Sequence, residues 1–96
     1  MVEKLNQTER DAALKGLNGW VFDKDADAIS HVFKFKSFSE AFGFMARVAL
    51  EAQAADHHPD WSNSYDTVTI TLSTHDAGGL SQKDVDLAQA IDKLLI

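Results

Sequence analysis

Three of the four histidines in this chain, His57, His58 and His75, fall within one stretch that also carries Asp56, Asp60, Asp76 and Asp84. Imidazole titrates closest to neutrality of all side chains, so histidines gathered at a cleft can both give and take protons there. His57 and His58 stand where a long helix must stop, because Pro59 disfavours helical backbone at His58 and has no N–H to donate. His75 stands at the far end of the alternating run Thr67 to Leu72. A helix end and a strand end meeting across a cleft would bring these imidazoles together.

The same residues admit other chemistry. The segment from Asp56 to Asp60 also suits a solvated helix terminus, where histidine cations favour the carboxyl end of the helix dipole. A metal site built from His57 or His58, His75 and an aspartate is a third reading, without regular metal-ligand spacing to support it. Adjacent residues in regular backbone cannot both point into one space, so one of His57 and His58 faces the cleft while the other packs or binds a ligand edge. Trp61 and Tyr65 read as core or edge aromatics, or as walls for a flat heterocycle. Asp84 reads first as the acid of a helix capping box and can also orient a histidine. Gly78-Gly79 reads as a turn, since no lysine or glycine spacing supports a phosphate cradle.

Composition narrows the classes. Ninety-six residues, 45% hydrophobic and 25% charged, describe one globular domain spanning residues 1–96. The absence of cysteine removes disulfides, thiolate catalysis and cysteine zinc sites. A formal charge of −6 with scattered lysines offers no basic patch for direct nucleic-acid binding. No apolar run approaches the roughly 18 residues of a membrane span. The polar start Met-Val-Glu-Lys-Leu-Asn-Gln resembles no signal or transit peptide, so a cytoplasmic location is expected.

The elements that must position the histidines follow from periodicity. Thr8 to Leu17 predicts a first helix with Thr8 as N-cap. Trp20 to Phe22 and Ala28 to Phe35 predict a hairpin around Asp23–Asp27, with Ile29, His31, Phe33 and Phe35 on one face and His31 structural. Ser37 and Glu40 make a capping-box pattern for the longest helix, which ends near Ala55. Phe38, Ala41, Phe42, Met45, Val48, Ala49 and Ala52 predict its sheet-facing side. Gly43, Phe44, Ala46, Leu50 and Ala54 form a surplus apolar set that predicts a partner helix from a second copy. Val68, Ile70 and Leu72 predict a half-buried strand, and Ser81 with Asp84 opens a last helix to Leu95. The order predicts an α+β fold, a single domain with an antiparallel sheet and helices packed on one face.

The run Asp56-His57-His58-Pro59-x-Trp61-x3-Tyr65-x2-Val68-x-Ile70-x-Leu72-x-Thr74-His75-x2-Gly78-Gly79-Leu80-Ser81-x2-Asp84 resembles the signature of pterin-4a-carbinolamine dehydratases. The likeness extends from Arg47 to Ala88, and Trp20 and the Ser37-Phe38 helix start agree with it. One position departs from the pattern. Four residues before His57 the family usually carries an acid, and this chain has Gln53, which could keep a hydrogen bond to His57 but not a charge.

The resemblance implies a four-stranded sheet and the dehydration of 4a-hydroxytetrahydropterin to quinonoid dihydropterin. That reaction recycles the cofactor of aromatic amino acid hydroxylases. It implies catalytic His57, His58 and His75, with His57 and His75 as the acid–base pair. The pterin would touch His57, His58, Pro59, Trp61, Thr74, His75, Asp76 and the Ala77 backbone, with Asp84 and Gln53 in support. No metal or organic cofactor is implied, because the ring nitrogen's lone pair expels the hydroxyl. Partners implied are the pterin and further copies of the chain, a dimer or tetramer formed through the 37–55 helix and a sheet edge. The alternative is a non-catalytic interaction module, since some relatives double as the dimerisation cofactor of a transcription factor through that helix.

Overall fold

The structure, a computed structural model, describes residues 2–95; Met1 and Ile96 of the expected 1–96 domain lie outside them. Along the chain come α1 (Gln7–Lys15), β1 (Val21–Asp23), β2 (Ala28–Lys34), α2 (Phe38–Ala55), β3 (Asp60–Ser64) and β4 (Thr67–Leu72). A single 3-10 turn (His75–Ala77) and α3 (Gln82–Lys93) complete it. The strands form one sheet in the order β1-β2-β4-β3, every neighbouring pair antiparallel. This is the expected α+β architecture.

Alternation sets the register. Ile29 pairs with Leu72, His31 with Ile70 and Phe33 with Val68, so these residues share the inner face against the helices. On the outer face Ser30 and Thr71 exchange a hydroxyl hydrogen bond of 2.8 Å. His31 is structural, as expected: its ring stacks on Phe33 at 3.9 Å, and its Nδ1–H donates to the Val32 carbonyl. Trp20 meets that ring edge-on and donates from Nε1 to Asp92 on α3 at 2.9 Å.

Strand β3 is the fourth strand of the expected sheet, but its bounds could not be read because Asp-Trp-Ser-Asn-Ser has no apolar run. It forms because β4 offers it a free edge, and only Trp61 and Asn63 of its side chains turn inward as neighbours of Ile70 and Val68. Helix α1 starts two residues earlier than expected. Asn6, not Thr8, is the N-cap, in a reciprocal box with Glu9.

Helix α2 corrects the expected faces. Ala41, Phe44, Val48 and Ala52 are its buried residues, so Phe44 belongs to the core and not to the surplus set. Phe38 and Phe42, expected inside, are 50% and 58% exposed, and Ala49 also faces out. Both sets are apolar at helical spacing, so hydrophobicity alone could not choose between them; the pairing of Phe44 with Phe33 and Phe35 decided it. The outward stripe is Phe38, Phe42, Ala46, Ala49 and Leu50.

The tip of the β3–β4 hairpin holds Tyr65 in left-handed backbone, φ 52°, with its ring 65% exposed. That conformation costs an L side chain about 1–2 kcal/mol, and asparagine tolerates it better. Tyr65→Asn should therefore stabilise the fold by about 1 kcal/mol, a Tm rise of about 4–8 °C by calorimetry for a chain of this size. An unchanged or lower Tm would show that the ring has a stabilising role there.

Candidate active site

Helix α2 ends by a backbone motif that sets His57. Asp56 takes left-handed backbone, φ 51°, and the His57 N–H returns to the Ala52 carbonyl at 3.1 Å while the Asp56 N–H reaches Gln53 at 3.2 Å. This is a Schellman-type end with aspartate where glycine is usual. It turns the chain so that His57 folds back beneath α2 and is buried, whereas His58 is exposed.

Beneath His57 lies Asp84, fully buried in the first turn of α3. Its Oδ1 accepts from His57 Nε2 at 2.5 Å. Its Oδ2 accepts from the Thr74 hydroxyl at 2.8 Å and from the Ser81 backbone N–H at 2.9 Å. The Thr74 proton is committed to Asp84, so the 2.6 Å contact between Thr74 and Ser81 requires the Ser81 hydroxyl to donate. Every donor in the cluster is then assigned. No buried side-chain nitrogen or oxygen among the described residues lacks a partner.

The network fixes a tautomer. A carboxylate accepting at both oxygens requires the proton of neutral His57 to sit on Nε2. Nδ1 then carries the lone pair, has no protein partner and is not sealed from solvent. It is the atom of His57 free to meet a ligand.

His57 opens on a cleft of about 240 Å³ lined by Asp56, His57, His58, Ser73, Thr74, His75, Asp76 and Lys83. All three histidines of the central stretch thus meet at one cavity, as do Thr74 and Asp76. Pro59, Trp61 and Ala77 are not among its lining residues. Trp61 packs against the core from β3, and the Ala77 N–H is spent on the Thr74 carbonyl at 3.1 Å. Tyr65 lies at the hairpin tip, outside the cleft. Gln53 is exposed and makes no hydrogen bond to His57; the carboxylate that reaches this imidazole comes from Asp84.

Sequence reasoning passed over Lys83 and Ser73. Lys83 sits between the two members of the capping box, one residue before Asp84, and carries no motif of its own. Among the described residues no group of three histidine, aspartate or glutamate side chains has the arrangement to hold a metal ion. No helix among them is long and apolar enough to cross a membrane.

Sheet, helix end and gathered imidazoles define a class: an α+β protein with a buried histidine–carboxylate pair beside a histidine-lined cleft at the end of its central strand β4. The family model for pterin 4 alpha carbinolamine dehydratase matches residues 3–94. A Rhodospirillum rubrum protein named as a pterin-4-alpha-carbinolamine dehydratase is 58% identical over 95 residues, 99% of each chain. One from Nitrobacter hamburgensis is 51% identical over 94 residues, 98% of this chain and 93% of the relative. The crystal structure of a transcriptional coactivator/pterin dehydratase from Brucella melitensis matches with a TM-score of 0.93 at 42% identity, covering 96% of this chain and 98% of that one. The chain belongs to the pterin-4-alpha-carbinolamine dehydratase family.

The tautomer assignment has a direct check. In Asp84→Asn the amide can donate to Nε2, which would move the His57 proton to Nδ1 and remove the lone pair from the cleft. Long-range ¹H–¹⁵N spectra should show the Nε2–H form in the unaltered protein and a shift towards Nδ1–H in the variant. An Nδ1–H form already present before substitution would refute the assignment. Loss of charge-assisted bonds should also lower stability by about 1–3 kcal/mol.

Proposed function

We propose that the protein is a hydro-lyase that dehydrates 4a-hydroxytetrahydropterin to quinonoid dihydropterin by histidine acid–base catalysis. The observation that carries this reading is the orientation of His57, whose Nε2 is held by buried Asp84 while its ring lines the same cleft as His75. The names of its relatives supply the substrate class.

The chemistry needs two proton movements. The C4a–O bond breaks as the N5 lone pair forms the C4a=N5 bond. The departing hydroxyl takes a proton and leaves as water, and N5–H loses one. His57 suits the second task, since Asp84 stabilises the imidazolium that forms when Nδ1 takes the N5 proton. His75, exposed and lining the same cleft, suits delivery to the hydroxyl. His58 lines the rim, and Thr74 holds Asp84 in place from below. Lys83 and Asp76 supply polar contacts at the mouth for the pterin edge.

Self-association accompanies this reading. The stripe Phe38, Phe42, Ala46, Ala49 and Leu50 leaves large apolar side chains in water along α2, with Leu50 71% exposed. β1 and β3 are the two sheet edges. A second copy on the stripe, on an edge or on both would give the dimer or tetramer. The Brucella melitensis relative named as a coactivator favours a second reading, in which α2 also serves a transcriptional partner.

Stopped-flow absorbance of dihydropterin formation tests the mechanism. His57→Ala and His75→Ala should each slow turnover by about 10²- to 10⁴-fold. Unchanged rates in both would reject the assignment. Separately, Phe42→Glu should lower the mass seen by light scattering while retaining the fold, because Phe42 lies outside the core. A Phe42→Glu protein of undiminished mass would exclude the stripe as the assembly surface.

A further inference from the structure

His75 sits on an exposed 3-10 turn, and no hydrogen bond to its ring restrains it among the described residues. Its place therefore depends on the backbone beneath. That backbone is a small loop closed by Thr74 and Gly79, which exchange N–H to carbonyl bonds of 2.9 and 3.2 Å. The ring also has somewhere else to go. His75 borders both the catalytic cleft and a second depression lined by Ala26, Ala28, Asp60, Thr71 and Ser73.

One residue grips the loop at both ends. The Asp27 carbonyl accepts from Ser73 Oγ at 3.1 Å, just before the loop, and its Oδ1 accepts from the Leu80 N–H at 3.0 Å, just after it. Its Oδ2 pairs with Lys4 Nζ at 2.8 Å, and the neighbouring Leu5 N–H donates to the Leu80 carbonyl at 2.8 Å. The carboxylate also fills the space of the missing side chain at Gly79, where an added Cβ would come within 2.6 Å of Asp27 Cγ. Burial pushes the Asp27 carboxyl up, but the Lys4 ammonium, the Leu80 N–H and the Arg10 charge outweigh it and hold it below the usual carboxylate range. Asp27 itself takes left-handed backbone, φ 51°, which aspartate tolerates better than most side chains.

We propose that Asp27 is a positioning residue for the dehydration, clamping the base of the Thr74–Gly79 loop so that His75 stays over the cleft. This rests on the reading of His75 as the proton donor. Among the described residues, Asp27 hydrogen-bonds to no lining residue of the cleft except Ser73, so it acts through the loop. Asparagine at position 27 would keep an acceptor for Leu80; alanine would lose both that bond and the Lys4 pair.

The test compares steady-state and single-turnover kinetics of five variants, with far-UV circular dichroism to verify folding. Asp27→Ala should lower kcat about tenfold with KM changed less than about threefold, since small misplacement of a catalytic group costs rate more than binding. Asp27→Asn should restore most of that loss. Gly79→Ala, whose new methyl displaces the carboxylate while leaving it in the chain, should reproduce the Asp27→Ala defect. In a His75→Ala background Asp27→Ala should add nothing further. If it adds its full factor there, or if Asp27→Ala leaves kcat unchanged while His75→Ala is slow, the positioning role is overturned and the acid–base reading stands. If His75→Ala turns over at the unaltered rate, the parent reading fails and this one with it.

Discussion

The buried carboxylate of Asp84 is the group on which the rest of the structure depends. An ionised carboxylate with no exposure costs several kcal/mol unless its lone pairs are met by donors. Here they are met from three separate parts of the chain: the end of α2 through His57, the exit of β4 through Thr74, and the start of α3 through Ser81. Displacing any one of the three elements removes a donor from a buried charge. The site is assembled only when the fold is, and the same atoms cap a helix and hold an imidazole.

That coincidence explains which parts of the site were legible in the sequence. A capping box is local, so Ser81 and Asp84 stand three residues apart and announce a helix start. The bond from Asp84 to His57 spans 27 positions and leaves no spacing to read. Alternation likewise exposed β2 and β4, whose inner residues pair across the sheet at every second position. It was silent for β3, which is polar and exists because of its neighbour. On α2 periodicity was present but doubled, with apolar residues on two sides. Only the aromatic contacts of Phe44 separate core from surface.

The exposed apolar stripe and the cleft lie at different places along α2. The outward stripe runs along its flank from Phe38 to Leu50, whereas the cleft begins beyond its last residue, at Asp56. A change in the stripe therefore reaches His57 only through the helix backbone. The polar end at Asp56 is held by its own hydrogen bonds to Ala52 and Gln53. An oligomer built on the stripe would bury hydrophobic area away from the cleft.

The departure at position 53 gains a physical meaning from this geometry. An acid at that place would stand on the last turn of α2, where the helix dipole already disfavours negative charge. Gln53 there is exposed, and only its backbone carbonyl takes part in ending the helix. The hydrogen-bond partner of His57 is instead Asp84, in the first turn of α3. The tautomer of His57 is set from below by Asp84, and glutamine at position 53 leaves that bond intact.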